Sequence, residues 1–474
     1  MKKFLSCLVA LLTLLSFSGC SKDSNNTQTN KETESTVGTT DDTSTIIVTT
    51  PPLTEATESR IEVVFDTSAT IENTILYNEN GLVITATGLT YNYYYAEIKL
   101  QFENNTDYDY QFISSSNGYH CNSVNGIMTP GEGYVNCTVK SGSTAYDTAR
   151  FQFSSLKRLG ITCLADIELA FDITNNSEQI YSQPIAINTS LSNMYDYSKN
   201  HYQQFVEDGT LEGMLGVELL FYETEERYSQ DGIKVISNAL LENEDGDVIL
   251  LVEAENTSNK PVNIFVKDIS VDNFLIYSYN CDDTTIAPGK RCVLDVNISK
   301  LIKEPYWDLY GITGFESLKY CVKLKDMQYM EITDPKTVTI QPHIGVTVEK
   351  SFQELYIENG IQILLGGIVD EDNEYTDDLN AVIIINNQTE KDLKVEIVDE
   401  AVLVNGILVE IPYTHKSIPA GQQVPFIFEL RDEDMEELGT TDPNAIDSLE
   451  FVLKIKDTKY NEVAEPTIVM DFAH

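Results

Sequence analysis

The chain has 474 residues, with 31 lysines and arginines against 75 aspartates and glutamates, and a formal net charge of −44 at pH 7. Nucleic acids and anionic membrane surfaces are bound mainly by lysine and arginine, so this charge excludes them as general ligands. An apolar fraction of 42% with 26 tyrosines is enough for ordinary hydrophobic cores, and the length is that of about three domains.

Residues 1–19 have the pattern of a secretion signal. Lys2 and Lys3 supply a positive start, and the apolar stretch 4–17 is too short for a membrane span, which needs about 20 apolar residues. The stretch ends in Phe-Ser-Gly-Cys at 17–20, which resembles the lipobox of bacterial lipoproteins, although Phe17 stands where that family most often has leucine. The resemblance implies cleavage before Cys20 and a diacylglyceryl anchor on its sulfur. The alternative is an ordinary signal peptide with an incidental cysteine.

The stretch that follows, 20–57, consists almost wholly of Ser, Thr, Asn, Asp, Glu and Lys, with one short apolar run at 46–48. Such a composition cannot bury enough apolar surface to offset the entropy lost on ordering. We therefore expect a disordered, Ser/Thr-rich tether between a lipid anchor and a folded body.

The rest of the chain carries five landmarks that recur three times in one order. They are an Asn-Gly or Asp-Gly turn at 80–81, 231–232 and 359–360; an Asn-Thr turn at 104–106, 256–257 and 386–389; a Pro-Gly-type turn at 130–131, 288–289 and 419–421; a polar segment with Gly160, Gly311 or Gly439; and a last strand at 167–171, 318–322 and 449–453. Their spacing predicts three repeats, called repeats 1, 2 and 3 below, at 58–191, 213–341 and 342–474, with a polar linker at 192–212.

Within each repeat the apolar segments are short and alternate with polar residues. In repeat 3, Leu393, Val395 and Ile397 share one face of a strand, as the period of two requires. Frequent Gly- and Pro-containing turns over about 130 residues are typical of an antiparallel β-sandwich. The sequence thus predicts an all-β protein of three tandem sandwich domains, with short helical turns such as 154–160 and 432–439.

The lipobox, the tether and the tandem copies together resemble the immunoglobulin-like repeats of uncharacterised surface lipoproteins of Gram-positive, Clostridia-type anaerobes. Repeat 3 carries the pattern best, in Val404-Asn405-Gly406; the counterparts are Val271-Asp272-Asn273 in repeat 2 and Ser116-Asn117-Gly118 in repeat 1. The resemblance implies immunoglobulin-like sandwiches held by a lipid on the outer face of the cytoplasmic membrane. It implies no active-site residues.

Six cysteines remain after Cys7 in the signal and Cys20, namely Cys121, Cys137, Cys163, Cys281, Cys292 and Cys321. Two pairs flank the Pro-Gly turns at 130–131 and 288–289, so one cross-strand disulfide in each of repeats 1 and 2 is geometrically possible. The alternative is six reduced core thiols. No Cys-x-x-Cys pair or neighbouring histidine pair indicates zinc, and we expect no cofactor.

No catalytic constellation is visible. The five histidines are scattered, and acidic loops at 242–247 and 370–378 offer oxygen ligands for Ca²⁺ without following a calcium-binding pattern. A row of tyrosines is predicted on one face of a strand, at Tyr91, Tyr93 and Tyr95. Such a row indicates cross-strand packing or a sugar-stacking surface.

The sequence favours a non-enzymatic, lipid-anchored surface protein that acts as a spacer and binding module for an extracellular protein or wall polysaccharide. One alternative is a carboxylate-dependent glycan hydrolase, which requires a cleft between copies lined by two acids. Another is the extracytoplasmic accessory subunit of a transport or signalling system.

Overall fold

The computed structural model describes residues 63–114, 122–299, 309, 314–345, 352–370, 379–398, 401–439 and 442–472. The secretion signal, Cys20, the predicted tether, Cys121 and the acidic stretch 371–378 lie outside the described residues. Residues 59–474 belong to one compact unit. Its secondary structure is mostly antiparallel β-sheet, which confirms the predicted all-β fold class.

The stretch up to residue 188 holds one short helix, Phe153–Arg158 (α1), and twelve strands among the described residues. The strands are Thr74–Glu79 (β1), Leu82–Tyr91 (β2), Tyr95–Asn104 (β3), Tyr110–Ser114 (β4), Ser123–Val124 (β5), Ile127–Met128 (β6), Val135–Val139 (β7), Ser143–Gln152 (β8), Asp166–Leu169 (β9), Phe171–Thr174 (β10), Gln179–Tyr181 (β11) and Ile185–Asn188 (β12).

Two helices open the next stretch, His201–Glu207 (α2) and Thr210–Leu215 (α3). Its strands are Glu218–Glu223 (β13), Tyr228–Gln230 (β14), Ile233–Glu242 (β15), Val248–Asn256 (β16), Val262–Val271 (β17), Phe274–Ile286 (β18), Arg291–Asn297 (β19), Gly314–Phe315 (β20), Leu318–Lys325 (β21), Lys336–Ile340 (β22) and Ile344–Gly345 (β23).

The last stretch contains the helix Asp432–Leu438 (α4) and a 3-10 turn at Pro443–Ala445. Its strands are Glu354–Glu358 (β24), Ile361–Asp370 (β25), Leu379–Asn387 (β26), Leu393–Ile397 (β27), Val402–Val404 (β28), Ile407–Val409 (β29), His415–Ile418 (β30), Gln423–Leu430 (β31), Ser448–Asp457 (β32), Glu462–Ala464 (β33) and Thr467–Asp471 (β34).

Two sheets extend from one predicted repeat into the next. The first runs β12-β9-β5-β6-β19-β16-β15-β13, and the second runs β22-β21-β17-β18-β31-β26-β25-β24. Repeat 1 also has the sheets β1-β2-β3-β8 and β11-β10-β4-β7, and repeat 3 has a sheet containing β29-β28-β32-β27-β30. The two long sheets are continued by short parallel contacts, β6 with β19 and β18 with β31, whereas the other pairings within them are antiparallel.

The predicted Asn-Gly and Asp-Gly turns are confirmed as two-residue hairpin turns between β1 and β2, β14 and β15, and β24 and β25. Both turn residues have positive φ in each case, as at Asn80 (53°) and Gly81 (81°). This geometry matches the right-handed twist of the paired strands, and Asn, Asp and Gly adopt it at the lowest cost. The predicted tyrosine row is wrong: Tyr93 and Tyr94 form the β2–β3 turn, because Asn92 Oδ1 accepts hydrogen bonds from the N–H groups of Tyr94 and Tyr95.

A buried asparagine ends β3, β16 and β26 in the same way. Asn256 Nδ2 donates to the carbonyls of Lys260 (2.7 Å) and Ile286 (2.8 Å), and its Oδ1 accepts from the Ser258 N–H and hydroxyl. Asn104 and Asn387 make the equivalent bonds. Each side chain thereby closes the turn after its strand and satisfies buried backbone groups.

The turn between β7 and β8 corrects one of the predicted landmarks. Ser143 pairs with Asn104, as Lys290 and Gln422 pair with the other two asparagines. The repeat 1 counterpart of Pro288-Gly289 is therefore Ser141-Gly142, and Pro130-Gly131 was the wrong choice. The prediction failed because a Pro-Gly pair marks any turn, whereas strand register decides which turns are equivalent.

The stretch 192–212, predicted as a polar linker, contains α2 and contributes to a core. Asn200 caps α2 by accepting a hydrogen bond from the Gln203 N–H, and Tyr202 and Val206 are buried on the packed face. Together with Leu211 they join the hydrophobic cluster of repeat 1. The segment is thus part of the packed fold as well as a connection.

A partly buried carboxylate links β18 to β19. Asp282 Oδ2 accepts a hydrogen bond from the Asp295 N–H (2.8 Å), and its Oδ1 accepts one from the Asp283 N–H (2.9 Å). Burial raises the pKa of Asp282 from 3.8 to about 6, and these two hydrogen bonds only partly oppose the shift. The folded protein therefore holds the Asp282 proton more tightly than the unfolded chain does.

Asp282→Asn is expected to change stability in a pH-dependent way. Because the folded-state pKa is raised, the contribution of Asp282 to the free energy of unfolding falls as pH rises from 3.8 to about 6. The variant should gain stability relative to the wild type at pH 7.5, and the gain should vanish near pH 4. Urea unfolding at both pH values measures the difference, with Thr284→Ala as a non-titrating control. A gain of the same size at both pH values would contradict the expectation.

Candidate functional site

A polar cleft of about 660 Å³ opens where repeat 1 meets the turn before β19. It is bounded by β9 and β12, by the β5–β6 turn and by the segment after β12. Its lining residues are mostly polar or aromatic: Asn125, Gly126, Asp166, Glu168, Ala186, Asn188, Thr189, Ser192, Asn193, Tyr195, Tyr197, Lys199, Gly289, Lys290 and Arg291.

Two carboxylates of β9 line the cleft. Asp166 and Glu168 are two residues apart on one strand, so they share a face with their Cα atoms about 7 Å apart. Glu168 forms an ion pair with Lys290 of the facing turn. Asp166 is only 8% exposed, and burial raises its pKa, while a hydrogen bond with Tyr197 and the charge of Lys290 act in the opposite direction.

The β5–β6 turn fixes the position of these acids. Asn125 has a positive φ of 52°, and its Oδ1 accepts hydrogen bonds from the N–H groups of Ala165 (2.8 Å) and Asp166 (3.1 Å). Its Nδ2 donates to the carbonyl of Cys163 (2.8 Å). One asparagine therefore holds both its own turn and the start of β9 at the floor of the cleft.

The segment after β12 supplies an aromatic wall. The rings of Tyr195 and Tyr197 meet edge to face at 4.9 Å, and Tyr195 also lies 4.6 Å from the His201 ring. Burial raises the pKa of Tyr195 to about 12, so its hydroxyl is a neutral donor at physiological pH. Ser192 Oγ donates to the Ala165 carbonyl (2.5 Å), which ties this segment to β9.

A cationic edge completes the cleft. Lys290 and Arg291 follow Gly289, and the Arg291 N–H donates to the Gly126 carbonyl (3.0 Å). The Arg291 guanidinium turns toward Glu253 (3.3 Å), which is itself buried. In such a cleft, the aromatic faces can stack on a hydroxyl-rich ligand. The amides, hydroxyls and charged side chains can form hydrogen bonds with it.

The residues singled out by sequence lie elsewhere. Cys137, Cys163, Cys281, Cys292 and Cys321 are thiols, and Cys121 lies outside the described residues, so no disulfide of the predicted kind is described. No cluster of three or more His, Cys, Asp or Glu suited to a metal occurs in the described ranges. Asn243 closes the described acidic loop by accepting from the N–H groups of Asp245 and Asp247.

Sequence reasoning missed the cleft, although Glu168 lies on a predicted strand and Lys290 follows a predicted turn. One signal was available: Val124-Asn125-Gly126-Ile127 repeats the motif at 404–407 residue for residue. It marks the true repeat 1 counterpart of Val404-Asn405-Gly406, and the prediction of 116–118 in that role is wrong.

The fold and the cleft define an all-β protein of mostly antiparallel sheets, with a polar cleft along the sheet that contains β12, β9, β5, β6 and β19. No protein-family model matches the chain, and no curated protein matches it. None of the helices in the described ranges is long and apolar enough to cross a membrane.

The solved structures to which the chain is similar include the following three. One is a 1.5-MDa bacterial ice-binding adhesin, at 10% identity over 79% of this chain and 90% of that chain, with a TM-score of 0.13. Another is the Salmonella enterica SafA pilin in complex with its chaperone, at 9% identity over 48% and 90%, with a TM-score of 0.13. The third is an Amycolatopsis orientalis exo-chitosanase, at 11% identity over 55% and 27%, with a TM-score of 0.14. These scores assign no function.

Proposed function

We propose that the chain is a lipid-anchored extracellular surface protein whose β-sandwich repeats form a spacer and whose cleft binds the saccharide of a wall polymer. The anchor and the location rest on the lipobox at 17–20 and on the polar stretch after it. The single observation that supports saccharide binding is the cleft itself, because Tyr195 and Tyr197 stand beside amide, hydroxyl and charged side chains there.

Binding of the 59–474 fragment to insoluble peptidoglycan tests the proposal. Tyr197→Ala should weaken retention about tenfold, because it removes an aromatic contact of about 1.4 kcal/mol. Tyr197→Phe keeps the ring and should bind nearly as the wild type does. Tyr108→Ala removes another exposed tyrosine (66%, against 51% for Tyr197) that does not line the cleft, and it serves as the control. A wild-type fragment that is not retained, or a Tyr197→Ala variant retained as well as the wild type, would contradict the proposal.

A glycan hydrolase is the second candidate, because two acids line a cleft between predicted repeats. The geometry favours binding over cleavage. A glycosidase places its two carboxyl groups on either side of the scissile bond. Asp166 and Glu168 project from one strand face, Glu168 is neutralised by Lys290, and Asp166 is almost fully buried. Release of reducing ends from peptidoglycan by the wild type, abolished in Asp166→Asn, would favour the enzyme.

A further inference from the structure

The same strand joint connects repeat 1 to repeat 2 and repeat 2 to repeat 3. In the first joint, Ile127 of β6 pairs in parallel with Arg291 of β19, and the Arg291 N–H donates to the Gly126 carbonyl (3.0 Å). In the second, Phe274 of β18 pairs in parallel with Gln423 of β31, and the Gln423 N–H donates to the Asn273 carbonyl (2.9 Å). Each joint thus adds the hairpin of one repeat to a sheet of the next.

Repeat 3 carries the same hairpin, and its strand β29 ends its sheet, with β28 as its one neighbour among the described strands. The β28–β29 turn has positive φ at Asn405 (50°) and Gly406 (79°), as the β5–β6 turn has at Asn125 and Gly126. Asn405 Oδ1 accepts from the N–H groups of Asp447 (2.8 Å) and Ser448 (3.0 Å), which reproduces the bonds of Asn125. The hairpin is therefore held in the geometry that forms a joint.

The β28–β29 hairpin differs from the β5–β6 and β17–β18 hairpins in the exposure of the first residue after the turn. Ile127 is 2% exposed and Phe274 is 7% exposed, because each lies inside a joint. Ile407, which holds the same position in repeat 3, is 54% exposed, and its neighbour Leu408 is 58% exposed. An apolar pair that is buried in two repeats and exposed in the third marks a surface suited to the same contact.

Repeat 1 offers the complementary edge. β8 is the counterpart of β19 and β31, and it ends the sheet β1-β2-β3-β8, so no described strand pairs with its outer edge. The pairing register shows which residue of β8 corresponds to Arg291 and Gln423. Arg291 pairs with Glu255 and Gln423 pairs with Asn386, each one residue before the asparagine that ends its strand. Thr144 pairs with Glu103 in the same way, so Thr144 holds the position at which each joint forms. Thr144 is exposed, whereas Arg291 and Gln423 are partly buried. Exposed edge strands are sites at which another chain adds a strand.

We propose that the occupant of both surfaces is a second copy of this chain. The β28–β29 hairpin of one protomer pairs in parallel with the β8 edge of the next, with Ile407 opposite Thr144. The partner is a second copy because one chain carries both halves of a joint that it already forms twice internally. Such a contact is head-to-tail, so it produces open chains of protomers, or a ring where the rotation closes.

Directed cross-linking tests the proposed register. Thr144→Cys and Ile407→Cys chains of the 59–474 unit are mixed and oxidised; paired positions on neighbouring strands place Cα atoms within disulfide range, about 4.4–6.8 Å. We expect a covalent dimer in the mixture and none with either variant alone, since each new cysteine then faces Ile407 or Thr144. Wild-type protein measures the background from the native thiols.

Sedimentation velocity over a concentration series supplies the second measurement. Association of the wild type should weaken by about tenfold or more in Ile407→Asp, which places a charge in the joint. Ile357→Asp alters an equally exposed isoleucine on β24 and should associate as the wild type does. A mixture that cross-links no more than either variant alone, or equal association of the Ile407→Asp variant and the wild type, would overturn the proposal.

Discussion

Asn256→Ala is expected to lower the free energy of unfolding by about 3 kcal/mol. The side chain is 1% exposed and makes four hydrogen bonds at the end of β16. Alanine would leave the Ile286 carbonyl and other backbone groups of this turn without their side-chain partner, and each buried unsatisfied group costs about 1–3 kcal/mol. The midpoint and slope of urea denaturation measure the change.

Asn259→Ala is the matched control, because Asn259 is an exposed asparagine in the same turn and its loss should cost less than about 0.5 kcal/mol. Asn104→Ala and Asn387→Ala remove the equivalent bonds in repeats 1 and 3 and should destabilise by similar amounts. A loss below about 1 kcal/mol at Asn256 would show that water replaces the side chain and that this asparagine does not hold the turn.

Glu253→Ala is expected to lower the free energy of unfolding by about 3–5 kcal/mol, the usual cost of removing one partner from a buried ion pair. Glu253 is 1% exposed on β16, and it accepts hydrogen bonds from Asn200 (2.7 Å), Gln203 (2.8 Å) and Ser237 (2.8 Å) in addition to its contact with Arg291. Its loss detaches the start of α2 from the sheet and leaves the Arg291 cation without its carboxylate.

Two further variants separate charge from packing in thermal or urea unfolding. Glu255→Ala removes a partly exposed acid two residues along β16 and should change stability by less than about 0.5 kcal/mol. Glu253→Leu combined with Arg291→Met replaces the pair by apolar side chains and should recover part of the loss. Equal losses for Glu253→Ala and Glu255→Ala would contradict a structural role for the buried pair.

The strands and hairpin turns could be predicted from sequence because their signals are local. Asn80-Gly81 and its counterparts carry the turn geometry in two adjacent residues, and β3 shows the alternating burial expected of a half-buried strand. The helical turns at 154–160 and 432–439 were likewise indicated by local residues, and they correspond to α1 and α4.

The cleft and the joints could not be predicted in the same way, because they bring together residues far apart in the sequence. Lys290 meets Glu168 across 122 positions, and no local pattern specifies that pairing. Local rules also misled where two signals competed. The Pro130-Gly131 pair was chosen as the repeat 1 landmark because it is a stronger turn signal than Ser141-Gly142. The tyrosines at 91–95 were interpreted as one strand, although Asn92 forms a turn there.

The joints also determine how stability is shared among the three predicted repeats. The hydrophobic cluster of repeat 1 includes Leu241 and Leu251 of repeat 2, and the cluster of repeat 2 includes Val382 and Ile384 of repeat 3. Each repeat therefore gains part of its stability from its neighbour, as in a one-dimensional chain with strong nearest-neighbour coupling. Loosening one repeat would weaken the next, so we expect residues 59–474 to unfold cooperatively and not one repeat at a time.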